Sequence, residues 1–326
     1  MIQKTGRWTV PTTITQTRLD KFLTTAMPDE SRSHIQVWIR KGQVLVNGLP
    51  TKSGYSVRPG DEIKLEASEE HTDGLPQPEN IPVPILYQDS DIAVIDKPAG
   101  LVCHVGAGVR SGTLVNALLF HLGPLDSGDP VRPGIVHRLD KLTSGVMVVA
   151  RNPKAHRSLS RQFKRREVSK EYLAVVYGCP AEPIGVIDWP LGRDPRSRTR
   201  ISTRARKKRV AVTRYELVSK YGPVSLLKIK PETGRTHQIR VHLAQKGFPV
   251  VGDELYGGNR SRNLLPGLAD TIKKLGRHFL HACRLEFQHP GTGERVFFSA
   301  ALPAELQHFL AELQPGLLDS KLRRTI

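Results

Sequence analysis

Little in this sequence could cross-link it or anchor it. Three cysteines, Cys103, Cys179 and Cys283, lie far apart with no CxxC pair, which argues against a disulfide framework and against a zinc site. No run of about 18 apolar residues exists to span a bilayer, and no basic amphipathic helix stands alone to lie on a membrane surface. The stretch from Met1 to Thr9 has no apolar signal core, so the expectation is a protein of the reducing cytoplasm. Acidic residues are also scarce: 31 Asp and Glu stand against 49 Lys and Arg, a formal net charge of +18. An excess of that size attracts polyanions, of which nucleic acid is the commonest. The apolar fraction is a modest 38%, yet apolar stretches recur throughout and can bury a core. At 326 residues, two domains are the natural expectation.

Residues 18–66 form the first compact unit, after an extension over 1–17. Thr17 precedes Arg18-Leu19-Asp20 in a capping-box pattern, and Leu19, Phe22, Leu23 and Ala26 make an apolar helical stripe. After Pro28, Ser31 can cap a second helix with Ile35, Trp38 and Ile39 on one face and Arg32, His34, Arg40 and Lys41 on the other. Val44-Leu45-Val46 runs into the tight-turn pair Asn47-Gly48, and Pro59-Gly60 turns into the alternating strand Glu62-Ile63-Lys64-Leu65. Two short helices, the second of them basic, followed by a hairpin resemble the S4 RNA-binding domain. Arg18-Leu19-Asp20, Ser31-Arg32-Ser33 and the Gly42 to Gly48 segment carry the resemblance.

Residues 67–84, rich in Glu, Pro, Asp and Gly without apolar periodicity, read as a linker. From 85 to 326, short apolar strands alternate with helices. Strands are expected at Ile92–Ile95, Val146–Ala150, Glu171–Tyr177, Val210–Glu216, Val224–Ile229, Phe279–Phe287 and Glu294–Ser299. Helices are expected at Thr113–His121, Asn152–Arg166, Thr236–Lys246 and Pro303–Leu313. Without a strict βαβ rhythm, this pattern predicts an α+β domain on a mixed, mostly antiparallel sheet, beside the small α/β N-terminal unit.

The segment from Gly134 to Gly145 places Asp140 in a loop-like stretch between Arg138 and Lys141, directly before the apolar strand at Val146. An ionised carboxylate can attack carbon. A lone Asp near Arg more often caps a turn or forms a structural pair, so the loop alone does not decide. His137-Arg138-Leu139-Asp140, followed by Thr143-Ser144-Gly145, has the pattern HRLDxxTSG. Lys97-Pro98-Ala99-Gly100, Lys170-Glu171-Tyr172-Leu173-Ala174 with Val176 and Gly178, Thr233 to His242, Gly252 to Gly258 and His281-Ala282 follow. Together these motifs resemble, in order, those of the pseudouridine synthases that modify large-subunit ribosomal RNA (the RluA/RluD type), and with the S4-like unit the resemblance spans nearly the whole chain. One departure is Val105, where the family usually has proline after Cys103-His104.

The resemblance implies the fold of those enzymes and a set of roles. Asp140 would be the nucleophile that breaks the uracil–ribose bond, by attack on the base or on the sugar carbon. Arg240 would pair with it and orient it, and Tyr172 would pack against the flipped uracil. Arg138 would help fill the space the uridine vacates, since a stacked base cannot be reached. His137, Thr143, Arg235 and His237 fall among the substrate-binding positions, with His137 orienting the active loop. Large-subunit ribosomal RNA is the implied partner, and nothing resembles a dimer seam, so a monomer is expected.

The residues themselves agree with an isomerisation, which needs no cofactor. Gly106-Ala107-Gly108 lacks the GK[ST] ending of a nucleotide loop and reads as a turn. His237 and His242 lack an HExxH pattern, so no metal is expected, and His278 and His281 read as structural strand residues. Ser144 has no GxSxG elbow to make it an acyl-transfer nucleophile. The basic run from Arg193 to Arg214, with the single acid Asp194, reads as a mobile RNA-gripping loop. Two other readings compete: a non-catalytic RNA-binding or ribosome-assembly factor, and a glycosidase that uses the same carboxylate but releases uracil.

Overall fold

The computed structural model describes residues 3–14, 16–28, 30, 32–68, 75–105, 109–125, 129–197, 199–258, 264 and 266–313. The chain divides into two compact units, one of residues 1–81 with 104–134 and one of 82–103 with 135–326.

In the first unit, β1 (Gln3–Thr9) and the two-residue β2 (Thr17–Arg18) precede helices α1 (Leu19–Ala26) and α2 (Arg32–Arg40). Strands β3 (Val44–Val46), β4 (Leu49–Pro50), β5 (Ser56–Val57) and β6 (Glu62–Ser68) follow. The apolar stripes expected of the helices pack inward: Leu19, Leu23, Ile35 and Ile39 are buried with Val44, Ile63 and Leu65 in one core. The sheet order is β1-β6-β3-β4, so the N-terminal extension is itself a strand, antiparallel to β6 from Gln3 opposite Ser68 to Thr9 opposite Glu62. Its polar composition hides it, because a strand paired along one side needs little burial of its own.

The expected capping box at Thr17 is not what starts α1. Arg18 stands at the N-cap with no side-chain cap hydrogen bond, and the fully buried Asp20 carboxylate instead accepts from Arg18, Arg32 and Gln36. Arg32, expected on the basic face opposite the apolar stripe, thereby anchors α2 to α1. Ser31, the expected cap of α2, lies outside the described residues, as do Gly106 to Gly108. Helix α3 (Leu114–Leu122) belongs to this unit. The Asn116 side-chain oxygen accepts the Thr113 N–H at 3.0 Å, while its amide donates to the Gln77 carbonyl at 2.7 Å and fastens the 77–81 stretch.

The second unit contains β7 (Ile85–Gln88), β8 (Ile92–Lys97), β9 (Ser144–Ala150), α4 (Pro153–Arg165), β10 (Ser169–Tyr177), β11 (Ile184–Asp188) and the short β12 (Gly192–Arg193) and β13 (Ile201–Ser202). Then come β14 (Val212–Tyr221), β15 (Val224–Pro231), α5 (Gln238–Lys246), α6 (Pro266–Leu275), β16 (Leu280–Gln288), β17 (Arg295–Ser299) and α7 (Ala304–Leu313). Among the described residues the main sheet has nine strands, ordered β11-β14-β15-β10-β16-β9-β8-β7, with β17 also paired to β16. Its pairings are antiparallel except at β9 and β16, which run parallel with Ser144 opposite His281 and Gly145 opposite Ala282.

The two-residue period of β10 explains the layering. Leu173, Val175 and Tyr177 pack on one side with Phe279 and the α7 residues Leu306, Phe309 and Leu310. Ala174 and Val176 pack on the other with Ile239 and Leu243 of α5. Each fully buried Leu or Phe contributes about 1.5–3 kcal/mol, so α5 is held by its apolar residues while its polar ones are free to serve a site. Strands β7 and β11 and helix α6 were not anticipated. The strands lie at the two ends of the sheet with exposed side chains, Ile184 at 71% for example, so no alternation marks them. The basic run also contains paired and buried residues. Arg193 pairs with Ile201, Leu191 bridges Arg209, Ala205 and Ala211 are buried, and Arg214 lies in β14 against Glu232. Arg198 lies outside the described residues.

Candidate active site

Asp140 sits in the loop that leads into β9, and nearly every backbone carbonyl around it is held. A buried backbone acceptor must find a donor. The Leu139 carbonyl accepts from Cys103 Sγ at 3.3 Å, and the Asp140 carbonyl from Thr143 N at 3.1 Å, which closes a turn. The Lys141 carbonyl accepts from Gly100 N at 2.8 Å and from Lys97 Nζ at 3.3 Å. The Leu142 carbonyl accepts from Arg277 Nη1 at 3.0 Å. Lys97 is fully buried and also donates to the Pro98 and Leu101 carbonyls at 2.7 and 2.9 Å. Burial pushes its ammonium down to about 8, a cost the three carbonyls offset. Gly145 ends the motif because nothing larger fits: its φ is +123°, and a Cβ there would lie 2.2 Å from the Ala282 carbonyl oxygen.

Arg240, 100 residues further on, reaches this loop from the first turn of α5. Its Nη1 donates to Asp140 Oδ2 at 3.0 Å, while Nε and Nη2 donate to the two oxygens of Asp253 at 2.7 and 2.8 Å. Asp253, whose side chain is 0% exposed, therefore fixes the plane of the guanidinium, and one remaining N–H is aimed at Asp140. Burial alone would weaken the charge on Arg240. The hydrogen bonds to Asp253 and the charges of Asp253 and Asp140 outweigh it and hold Arg240 above its ordinary value. Asp253 is pulled in the opposite sense: burial raises it, but Arg240 and the Tyr256 N–H leave it below the usual carboxylate range.

The Asp140 side chain is 17% exposed and opens on a cavity of about 460 Å³ lined by His137, Arg138, Tyr172, Arg235, His237 and Arg240, among others. Its Oδ1 faces His237 Nε2 at 3.9 Å, too far for a hydrogen bond. Tyr172, on β10, forms part of the cavity wall, and burial raises its phenol, which stays protonated at neutral pH. Arg138 is exposed at the cavity. Arg235 donates Nε to the Val210 carbonyl at 3.1 Å. Burial and the charges of Arg209 and Arg166 lower it, which marks a cluster of cations there. Lys164 and Arg166 also line the cavity.

His137 has a different task from a substrate-facing base. Its Nε2 accepts the Val148 N–H at 3.1 Å, its ring stacks on Phe163 at 4.6 Å, and burial pushes it down to about 3, leaving it neutral. Thr143 is buried, with its hydroxyl 2.9 Å from His278 Nε2. The Ser144 hydroxyl bonds His281 Nδ1 at 2.9 Å and not His137, consistent with the absence of an acyl-transfer pair. Thus Asp140, Tyr172, Arg240, Arg138, His137, Thr143, Arg235 and His237 all border one cavity. Sequence reading assigned no role to Asp253, Arg277, Lys97 or Tyr256. The signal for Lys97, Asp253 and Tyr256 was their place inside matched motifs; Arg277 carried none, since an Arg next to His278 looks like a surface residue until its partners are known.

Comparisons with known proteins give the family of the chain. Residues 91–245 match the RNA pseudouridylate synthase family model, and residues 17–63 match the S4 domain. A protein of Aquifex aeolicus named "uncharacterized RNA pseudouridine synthase" is 46% identical over 88% of this chain and 90% of its own. The chain belongs to the RNA pseudouridylate synthase family. The "ribosomal large subunit pseudouridine synthase D" of Xanthomonas campestris is 43% identical over 94% of this chain and 91% of its own. Among solved structures, human RNA pseudouridylate synthase domain containing 1 aligns with a TM-score of 0.57 at 28% identity. That alignment covers 76% of this chain and 94% of the human one. This synthase is accordingly an isomerase acting on RNA, with an S4 RNA-binding domain at its N-terminus and a mixed, largely antiparallel catalytic sheet.

Proposed function

We propose that the synthase converts uridines of large-subunit ribosomal RNA to pseudouridine, with Asp140 as the nucleophile acting on a base extruded from its stack. The observation that carries this reading is the Asp140–Arg240 pair at 3.0 Å on the wall of an open cavity. Reaction there exchanges one bond for another. The C1′–N1 bond breaks, the C1′–C5 bond forms, the hydrogen on C5 leaves to solvent and N1 gains a proton, with no oxidant or donor group consumed. Arg240 occupies Oδ2 and leaves Oδ1 toward the cavity, so one oxygen is oriented and the other can attack. Tyr172 offers a neutral ring wall for the uracil face, and Arg138 stands where a side chain could fill the gap left in the RNA. Arg235, Lys164 and Arg166 suit the phosphates of the extruded strand. Relatives named for the ribosomal large subunit support that RNA as the target.

The test is tritium release from 5-³H-uridine-labelled, unmodified ribosomal RNA. The wild-type chain should move label into water without freeing uracil, and Asp140→Asn should abolish release while RNA binding persists. Activity surviving in Asp140→Asn removes Asp140 as nucleophile. Free uracil would mean a glycosidase, and binding without label release a non-catalytic RNA-binding protein.

A further inference from the structure

The geometry points to Tyr256 as a positioning residue that locks His237 as a neutral Nε2–H donor, serving the negative charge that develops on the uracil oxygens during the reaction. This rests on the reading of the Asp140 cavity as the uridine site.

Of the two ways to place a proton between these groups, one leaves the phenol O–H without a partner among the described residues, and the other leaves only an imidazole N–H that opens on the cavity. Tyr256 Oη accepts the Ile201 N–H at 2.9 Å and lies 2.9 Å from His237 Nδ1. With one lone pair of the phenol taken by Ile201, its own proton is satisfied by donating to Nδ1, and a neutral imidazole must then carry its proton on Nε2. Burial lowers His237 more than Asp140 raises it, which keeps the ring neutral, and burial raises the Tyr256 phenol, which keeps its proton. That Nε2–H faces the cavity 3.9 Å from Asp140 Oδ1, a gap no direct hydrogen bond closes. The proton is therefore available to an acceptor brought by the substrate.

The backbone is bent to make this possible. His237 stands at the N-cap of α5 in the left-handed region, φ 54°, a conformation uncommon for a residue with a Cβ and concentrated at functional sites. The turn is stapled by Gln238, whose Oε1 accepts from Thr233 Oγ1 at 2.6 Å and Arg235 N at 3.1 Å. Tyr256 is held in turn: the Arg240 and Arg200 guanidiniums both lie over its ring, 5.2 and 5.3 Å from the centroid. It thus packs against both the residue that pairs with Asp140 and a member of the basic run.

Both routes open to Asp140 need this donor. If the C1′–N1 bond breaks first, its electron pair stays with the base and spreads over N1, O2 and O4. If a nucleophile adds to C6 first, the pair reaches O4. A fixed N–H aimed at such an oxygen stabilises the charge without transferring its proton.

The experiment measures single-turnover tritium release at saturating RNA, RNA affinity and the ¹⁵N imidazole spectrum of His237. Wild type should show the Nε2–H tautomer. Tyr256→Phe and His237→Ala should each slow release by roughly 100-fold, as loss of one oxyanion donor does, with RNA affinity within about twofold. The double variant should be no slower than His237→Ala alone, because the two act as one unit, and His237→Gln, which keeps an N–H, should recover part of the rate. An Nδ1–H tautomer, multiplying losses, or unchanged rates would overturn the proposal. If Tyr256→Phe fails to fold, the wild-type tautomer and the Ala-against-Gln comparison at 237 decide alone. Asp140→Asn run beside them separates the two claims. Activity in that variant sinks the reading of the cavity, whereas a dead Asp140→Asn with full activity in the other variants sinks only the role given to Tyr256 and His237.

Discussion

Replacing Asp253 by Asn tests whether the partner of Asp140 is held by a residue outside the cavity lining. The Asp253 carboxylate, 0% exposed, accepts from Arg240 at 2.7 and 2.8 Å and from the Leu255 and Tyr256 N–H groups at 3.0 and 3.1 Å. Each hydrogen bond to a charged group contributes about 1.5–3 kcal/mol. Asparagine keeps one accepting oxygen but points an amide N–H₂ at the guanidinium, and it leaves Arg240 with half its counter-charge in a buried place. Breaking a buried pair costs about 3–5 kcal/mol; with one oxygen retained, the loss should fall near the lower figure. In a unit of this size that is a drop in melting temperature of roughly 6–12 °C. The pH dependence has a definite sign. A carboxyl held below its ordinary value contributes stability above its unfolded pKa, about 3.9, and that stability is lost as pH falls through the folded value. Wild type should therefore weaken below about pH 4, whereas Asp253→Asn, already without this contribution, should show a flatter stability curve across the same range. Thermal melts from pH 3 to 7 and tritium-release rates would check both halves. A melting temperature within about 2 °C of wild type, together with an unchanged rate, would refute the idea that Asp253 orients Arg240.

Gly145→Ala should cost on the order of 4 kcal/mol or more, because its Cβ would meet the Ala282 carbonyl at 2.2 Å in a φ of +123°; a soluble variant with wild-type melting behaviour would contradict that. Neutralising Arg206, Lys207, Lys208 and Arg209, all exposed, should flatten the salt dependence of RNA binding by about 0.7 in log–log slope for each phosphate no longer neutralised. Release at saturating RNA should stay near wild type, and an unchanged slope rules the segment out as a phosphate-binding surface.

Much of this was legible along the chain. The helical stripes at Leu19, Leu23, Ile35 and Ile39 and the Asn152 cap of α4, whose side chain accepts from Ala155 N, follow from short-range rules that local sequence obeys. The strand candidates fell within a few residues of the observed ones, because a strand covered on both faces, as β8 and β9 are, reads as a continuous apolar run. That signal failed at β1, β7 and β11, where pairing on one side and exposure on the other erase the pattern. At Thr17 the capping expectation failed for a related reason: the Asp20 carboxylate found a stronger set of donors in Arg18, Arg32 and Gln36 than a backbone cap supplies.

Sequence alone determined that Asp140 lies in a loop among cations, that the chain is basic enough to seek RNA, and, through its motifs, which residues to examine together. Only the tertiary structure decided that Arg240 spends two of its donors on Asp253 and one on Asp140, that Lys97 is buried under the loop it holds, and that Tyr256 meets His237. The reason is physical. A side chain's periodicity reports whether it faces water or core, but the partner of a buried charge is whichever group the packed elements bring within about 3 Å. That distance is set by strands and helices joined across 100 residues of chain.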